Sequence, residues 1–195
     1  SNMLYSGDGI PINKKESALY IKMAADKGDA DAMNDYASML DTGDGIPENK
    51  KEAIRYFKMA TDKGQVDATY HYASMLDSGE GIESNLKEAA FYYKIAADKG
   101  HTDAMYNYDI MLLNGDGIQV NKKEASRYFK MSADKGNADS MYNYAVLIDK
   151  SNEINANKKE AAFYYKLAIQ NGNTDALINY AVMLDKGDGI PANKE

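Results

Sequence analysis

The chain has 195 residues, of which 23 are basic and 30 acidic, with no cysteine, no tryptophan and 44% hydrophobic residues. Without cysteine there is no disulfide framework, no thiolate nucleophile and no cysteine zinc site, and a reducing compartment such as the cytoplasm is favoured without being fixed. A formal charge of −7 and a pI near 4.9 oppose nucleic acid as a partner, and no apolar run approaches the roughly 20 residues that span a bilayer, so no membrane partner is expected either.

The sequence repeats with a period of 36 residues, seen in Gly7-Asp8-Gly9-Ile10, Gly43-Asp44-Gly45-Ile46, Gly79-Glu80-Gly81-Ile82, Gly115-Asp116-Gly117-Ile118 and Gly187-Asp188-Gly189-Ile190. Ser1-Asn2 reads as a scar of tag removal. Within one period, Asp31–Asp41 places Ala32, Tyr36, Ala37 and Leu40 on one helical face and predicts a helix, termed A. Asn49–Lys63 predicts a second, termed B, opened by an Asn49/Glu52 capping box in which the glutamate reaches back to the N-cap backbone. The box recurs at Asn13/Glu16, Asn85/Glu88, Asn121/Glu124 and Asn157/Glu160, and Ala53, Phe57 and Ala60 mark the buried stripe of B. Gly64 and its equivalents Gly28, Gly100, Gly136 and Gly172 end each B helix in a left-handed residue. At Ser151–Ile154 the loop keeps its register without its glycines and is expected to be the softest turn.

All 15 glycines fall in three columns of this repeat. That accounting opposes a phosphate cradle, which needs a preceding strand and a following Gly-Lys-Ser/Thr. An EF-hand fails on carboxylate spacing, and the loop aspartates read as turn and capping residues. The columns headed by Tyr36, by Tyr20 and Tyr56, and by Met23, Met59 and Met131 are expected in the core.

Taken together, the helix A pattern, the G-x-G-I loop, the N-K-K-E-A box and the closing K-G resemble the Sel-one-like repeat (SLR), a subclass of the tetratricopeptide superfamily, over residues 3–195. Two departures stand out. Tyrosine fills the Tyr36 column where leucine is commoner, and the cysteine pairs of the secreted members are absent. The resemblance implies an all-α fold, a right-handed α/α superhelix of antiparallel helix pairs forming a single solenoid domain of about five repeats truncated at both ends. It also implies a non-catalytic adaptor for a protein or peptide, or alternatively a structural spacer within a longer multidomain protein.

If the A helices line the concave face, four columns run along it. Asn34, Tyr70, Tyr106, Tyr142 and Ile178 precede by one turn Ser38, Ser74, Ile110, Val146 and Val182, giving an apolar strip from residue 106 onward. This strip is either an anchor site for apolar partner side chains or packing between helices. Asp35, His71, Asn107, Asn143 and Asn179 form a ladder whose amides each offer a donor and an acceptor to a peptide backbone; local bonding to the next helix is the alternative. Asp41, Asp77, Leu113, Asp149 and Asp185 give one edge negative charge, while the Asp31 column needs only the helix dipole to explain it. The binding residues expected are therefore Tyr70, His71, Tyr106, Asn107, Ile110, Tyr142, Asn143, Val146, Ile178, Asn179 and Val182.

No cofactor and no metal are expected, since His71 and His101 fall in different columns without a third ligand. No enzyme is expected either, because the carboxylates recur in every copy whereas a catalytic site needs one acid and one base. The ends suggest head-to-tail self-association: Met3-Leu4-Tyr5 reads as the tail of an A helix and Asn193-Lys194-Glu195 as the start of a B helix. Tyr180, Ala181 and Leu184 of one copy would then meet Ile21 and Ala24 of another.

Overall fold

The computed structural model describes residues 13–150 and 157–190. Among them lie ten helices and no strand: α1 Lys14–Asp26, α2 Ala30–Thr42, α3 Lys50–Asp62, α4 Val66–Ser78, α5 Leu86–Asp98, α6 Thr102–Asn114, α7 Lys122–Asp134, α8 Ala138–Lys150, α9 Lys158–Gln170 and α10 Ala176–Lys186. Odd-numbered helices are B helices and even-numbered ones are A helices. The chain divides into two compact units, Ser1–His101 with α1–α5 and Thr102–Glu195 with α6–α10. Inside each unit every helix packs on its neighbours in sequence. The loop at Ser151–Ile154 and the ends at Met3–Tyr5 and Asn193–Glu195 lie outside the described residues.

The caps explain where the helices begin. In each B helix the asparagine Oδ1 accepts from the glutamate N–H three residues on, as in Asn49 from Glu52 at 3.2 Å and Asn157 from Glu160 at 3.1 Å. The glutamate does not reach the N-cap backbone. Its carboxylate accepts from the asparagine Nδ2, at 3.0 Å for Asn85 and Glu88, because the Asn85 N–H is already donated to the Leu76 carbonyl at 2.8 Å. Asn49 and Asn121 bond Leu40 and Leu112 in the same way. The cap thus ties helix B to the preceding helix A while satisfying donors that would otherwise be orphaned.

Alanine lets the helices approach closely. Ala53, Ala89, Ala125 and Ala161 are fully buried, as are Phe57, Tyr93, Phe129 and Tyr165 one turn on. Met23 and Met59 are exposed and Met131, Ile95 and Leu167 are half-buried, against the expectation of a core column. They stand two residues past the buried column, roughly 200° around the helix, which turns them outward.

Tyr36, Tyr72, Tyr108 and Tyr144 are buried, and each meets an aromatic ring of the next B helix edge to face. Tyrosine serves here where leucine would not. The Tyr144 hydroxyl donates to Glu160 Oε1 at 3.0 Å, and Lys130 sits over both Tyr144 and Tyr164, donating to the Tyr164 hydroxyl at 2.7 Å and to Glu160 at 3.3 Å. Tyr164 in turn donates to Asp134 at 2.7 Å. Burial, and then the hydrogen bond to Glu160 and its charge, push the Tyr144 phenol up to about 12. Lys22 over Tyr36 and Tyr56, and Lys58 over Tyr72 and Tyr92, repeat the motif. Each lysine therefore bridges three successive helices through cation–π contacts.

The G-x-G-I loops at 43–46, 79–82 and 187–190 dock on the first turn of the B helix one repeat earlier. A Cβ on Gly45 would lie 2.6 Å from Lys14 Cβ, and one on Gly81 would lie 2.6 Å from the Lys50 carbonyl oxygen. The residue between the glycines is an ion-pair partner, not only a turn former: Asp44 pairs with Lys14 at 2.6 Å and Glu80 with Lys50 at 3.0 Å. Gly81→Ala should cost at least about 2 kcal/mol through positive φ plus the backbone clash. Gly136, whose added Cβ meets nothing within 4 Å, should cost only about 1 kcal/mol on the same change. Urea unfolding of the two variants decides the order, and equal losses would mean that the loop contact contributes nothing.

Candidate functional site

The A helices are positioned by a column that the sequence reading left unassigned. Asp29, Gln65, Asn137 and Asn173 accept from the N–H of Ala32, Ala68, Ser140 and Ala176. The same side chains reach the first-turn aspartate of the preceding A helix: Asn173 donates to Asp139 at 2.8 Å and Gln65 to Asp31 at 3.5 Å. The Asp31 column therefore joins repeats in addition to meeting a helix dipole. The acidic edge expected at Asp41 and Asp149 is neutralised by Lys50 at 2.8 Å and Lys158 at 2.6 Å.

In the first unit, the expected site residues Tyr70 and His71 are drawn into an aromatic cluster. Tyr70 stacks on His101 at 4.4 Å with Tyr93 beside it, and His71 stacks on Phe57 at 4.9 Å. His101, which occupies the N-cap column, lies 3.7 Å from Asp67. Burial lowers the His71 pKa, and the facing His101 lowers it further. Much of the Tyr70 and His71 surface is thus spent on packing. No group of three metal-ligating side chains occurs among the described residues.

The second unit keeps more of its ladder open. Tyr106 and Tyr142 pack only a ring edge or tilt on Phe129 and Tyr165, both at 6.1 Å. The neighbouring Asn107 and Asn143 are half-exposed, as are Ile110 and Val146. Asn179 is half-exposed, Ile178 is 73% exposed and Val182 is exposed too. The apolar strip and the amide ladder therefore lie side by side on α6, α8 and α10. Of the residues expected to dock a second copy, Ile21 is already buried within its own unit, whereas Ala181 is exposed. A further set of exposed side chains escaped the sequence reading: Leu19 and Phe91 in the first unit and Phe163 in the second lie on the outer face of B helices.

The Sel1 repeat pattern matches residues 1–29, 30–65, 66–101, 102–137, 138–173 and 174–195. The chain belongs to the Sel1 repeat family. Solved Sel1-like structures share its fold. A protective antigen of uropathogenic Escherichia coli with an SLR fold superposes with a TM-score of 0.94 at 23% identity, over 99% of this chain and 42% of that one. The chain thus spans less than half of that antigen's length. A Sel1 repeat protein from Oxalobacter formigenes gives 0.82 at 22% identity, over 92% of this chain and 79% of that one. Helicobacter pylori cysteine rich protein B gives 0.53 at 19% identity, over 66% of this chain and 92% of that one. No curated protein matches the chain in sequence. As a family, Sel1 repeats are generally protein-interaction scaffolds, and no helix among the described residues is long and apolar enough to cross a membrane.

One Sel1 repeat breaks its own pattern inside the core. Where Ala37, Ala73, Ala145 and Ala181 stand, α6 carries Asp109, which is 0% exposed with neither carboxylate oxygen hydrogen-bonded. Burial, and then the nearby Glu124 charge, push this carboxyl up to about 9. The native fold favours the protonated acid, so folding takes up a proton above the ordinary carboxylate range. The associated stability is present in full below about pH 4 and is lost as pH rises towards 9. Asp109→Ala should therefore stabilise the protein by about 3 kcal/mol at pH 8, with the gain shrinking towards pH 4. Thermal melts across that range check it, and a gain that does not change with pH would refute the assignment of a neutral buried acid.

Proposed function

We propose that the chain is a non-catalytic binding module that holds an extended protein or peptide segment along the A helices of its second unit. The observation supporting this reading is a set of unengaged polar groups. The Asn107 and Asn143 amides and the Tyr106 and Tyr142 hydroxyls have no hydrogen-bond partner among the described residues, although all four side chains are half-buried. An amide held there meets a peptide backbone with a donor and an acceptor whatever the partner's sequence. Ile110, Val146, Ile178 and Val182 supply the apolar surface beside the ladder, and Asn179 continues it. Tyr70 and His71 hold the corresponding sequence positions in the first unit, where ring packing engages them.

Peptides selected from a random displayed library against the whole chain provide the test. Tyr142→Ala combined with Asn143→Ala should weaken the selected peptides at least about tenfold while leaving helical content and melting temperature nearly unchanged. If the double variant unfolds, these residues are core and the reading fails. A library that yields no binder would favour the spacer role.

A further inference from the structure

We propose a second interaction surface, on the outer face of the B helices of the first unit, that takes an extended acidic segment with apolar residues on either side of the acid. It lies on helices that the A-helix reading does not use. Lys15, Lys51 and Lys87 occupy one column of this face and Leu19, Arg55 and Phe91 the column one turn on, so each lysine stands at i, i+4 to the second member. All six side chains are exposed, Leu19 to 57% and Phe91 to 59%. Neither the three lysines nor Arg55 has an ion-pair or hydrogen-bond partner among the described residues, in contrast to Lys14, Lys22, Lys50 and Lys58, which are all paired.

The apolar members have somewhere to receive a partner. A trough of about 550 Å³ opens beside Leu19, Lys22, Tyr36 and Ile46, and its equivalent of about 350 Å³ opens beside Arg55, Met59, Tyr72 and Ile82. Both volumes fall in the range of pockets that hold small ligands and anchoring groups. Met59 and Ile82 are exposed inside the second trough. Neighbouring B helices meet through Tyr56, whose hydroxyl donates to Asp26. An extended polyproline II segment has three residues per turn and advances about 3.1 Å per residue, so positions three residues apart share the face it would turn to Leu19, Arg55 and Phe91. The complementary segment is apolar, acidic and apolar at every third residue.

The arginines support the pairing of charge with apolar surface. The chain has two, Arg55 and Arg127, and both fall in this column, each followed one repeat later by phenylalanine, Phe91 and Phe163. In the second unit Arg127 touches only the Tyr128 ring and Phe163 packs only on the adjacent Tyr164, so the element recurs there with Lys123 and Lys159 one turn before. A net charge of −7 opposes a polyanionic membrane or nucleic acid at long range, whereas a short acidic segment meets the local cations, beside capping glutamates whose carboxylates accept from Asn13, Asn49 and Asn85.

The probe is a fluorescein-labelled peptide carrying Leu, Glu and Leu at every third position with serine between, titrated into the full chain by anisotropy. Saturable binding in the micromolar range is expected, falling at least about tenfold with Arg55→Glu and regained when the peptide's Glu is changed to Lys. The Arg55 side chain is exposed, so Arg55→Glu should keep the parent melting temperature. Tyr142→Ala with Asn143→Ala should leave this peptide's affinity unchanged. Any of four results would overturn the proposal: no saturable binding, indifference to Arg55→Glu, loss on the Tyr142/Asn143 change, or co-sedimentation with phosphatidylserine vesicles that outcompetes the peptide at physiological salt.

Discussion

The contact of the Gly45 and Gly81 loops with the first turn of the preceding B helix sets the geometry on which the rest of the first unit depends, as that of the Gly189 loop does in the second. At Gly45 and Gly81 the backbones are so close that a Cβ would fall within 3 Å of the lysine opposite. Once that distance is set, the loop's acidic residue can reach the lysine, the Asn cap can bond the A-helix carbonyl, and the tyrosine ring arrives beneath the next lysine. A longer or bulkier loop would lift all three together. The 36-residue period is thus a packing distance expressed in residues, and the glycines recur because only a residue without Cβ permits it.

Given that spacing, the polar groups sort themselves by distance to the next repeat. Lys22, Lys58 and Lys130 are consumed by aromatic rings and carboxylates in the adjoining helices. Asp31, Asp67 and Asp139 are met by the next N-cap side chain. Among the described residues the outer lysine row of the B helices and the amides on α6 and α8 remain unengaged. Exposed single ion pairs contribute little stability, so the shared lysines owe their value to ring contact and to holding three helices in register. Association can then use the remaining groups without breaking any bond within the protein.

The helix pairs, the capping asparagines, the glycine terminators and the buried Tyr36 column were all legible in the sequence, because each depends on local chemistry repeated in register. The second half of the capping box was not. The Asn85 N–H is taken by Leu76, a bond between helices that spacing along one helix does not reveal. The N-cap column of the A helices was hidden because Asp29, Gln65, Asn137 and Asn173 share a role without sharing a side chain. Met23 and Met59 looked like core because they alternate with isoleucine and leucine, yet their angular position turns them outward. In the candidate site, the columns were legible but their engagement was not: Tyr70 and Tyr106 occupy one column, and only His101 beside the first makes it a stacked pair.

In an array of near-identical repeats, a residue present in every copy must satisfy the same neighbours each time, which is why periodic residues serve architecture. Specific recognition has to come from departures, or from weak sites summed over copies in fixed spacing. Both occur in this chain. Asp109 replaces alanine at one core position only, at a cost in stability that no neighbouring hydrogen bond relieves. The outer B column departs more regularly: Arg55-Tyr56-Phe57-Lys58-Met59 returns as Arg127-Tyr128-Phe129-Lys130-Met131, and Phe91-Tyr92-Tyr93-Lys94 returns as Phe163-Tyr164-Tyr165-Lys166. The true identity period on that face is therefore two repeats, whereas the loops and caps keep a period of one. The buried column alternates as well, as Phe57, Tyr93, Phe129 and Tyr165, so core and surface of the B helices share the doubled period and the exposed Arg55 and Phe91 change in step with the rings packed beneath them.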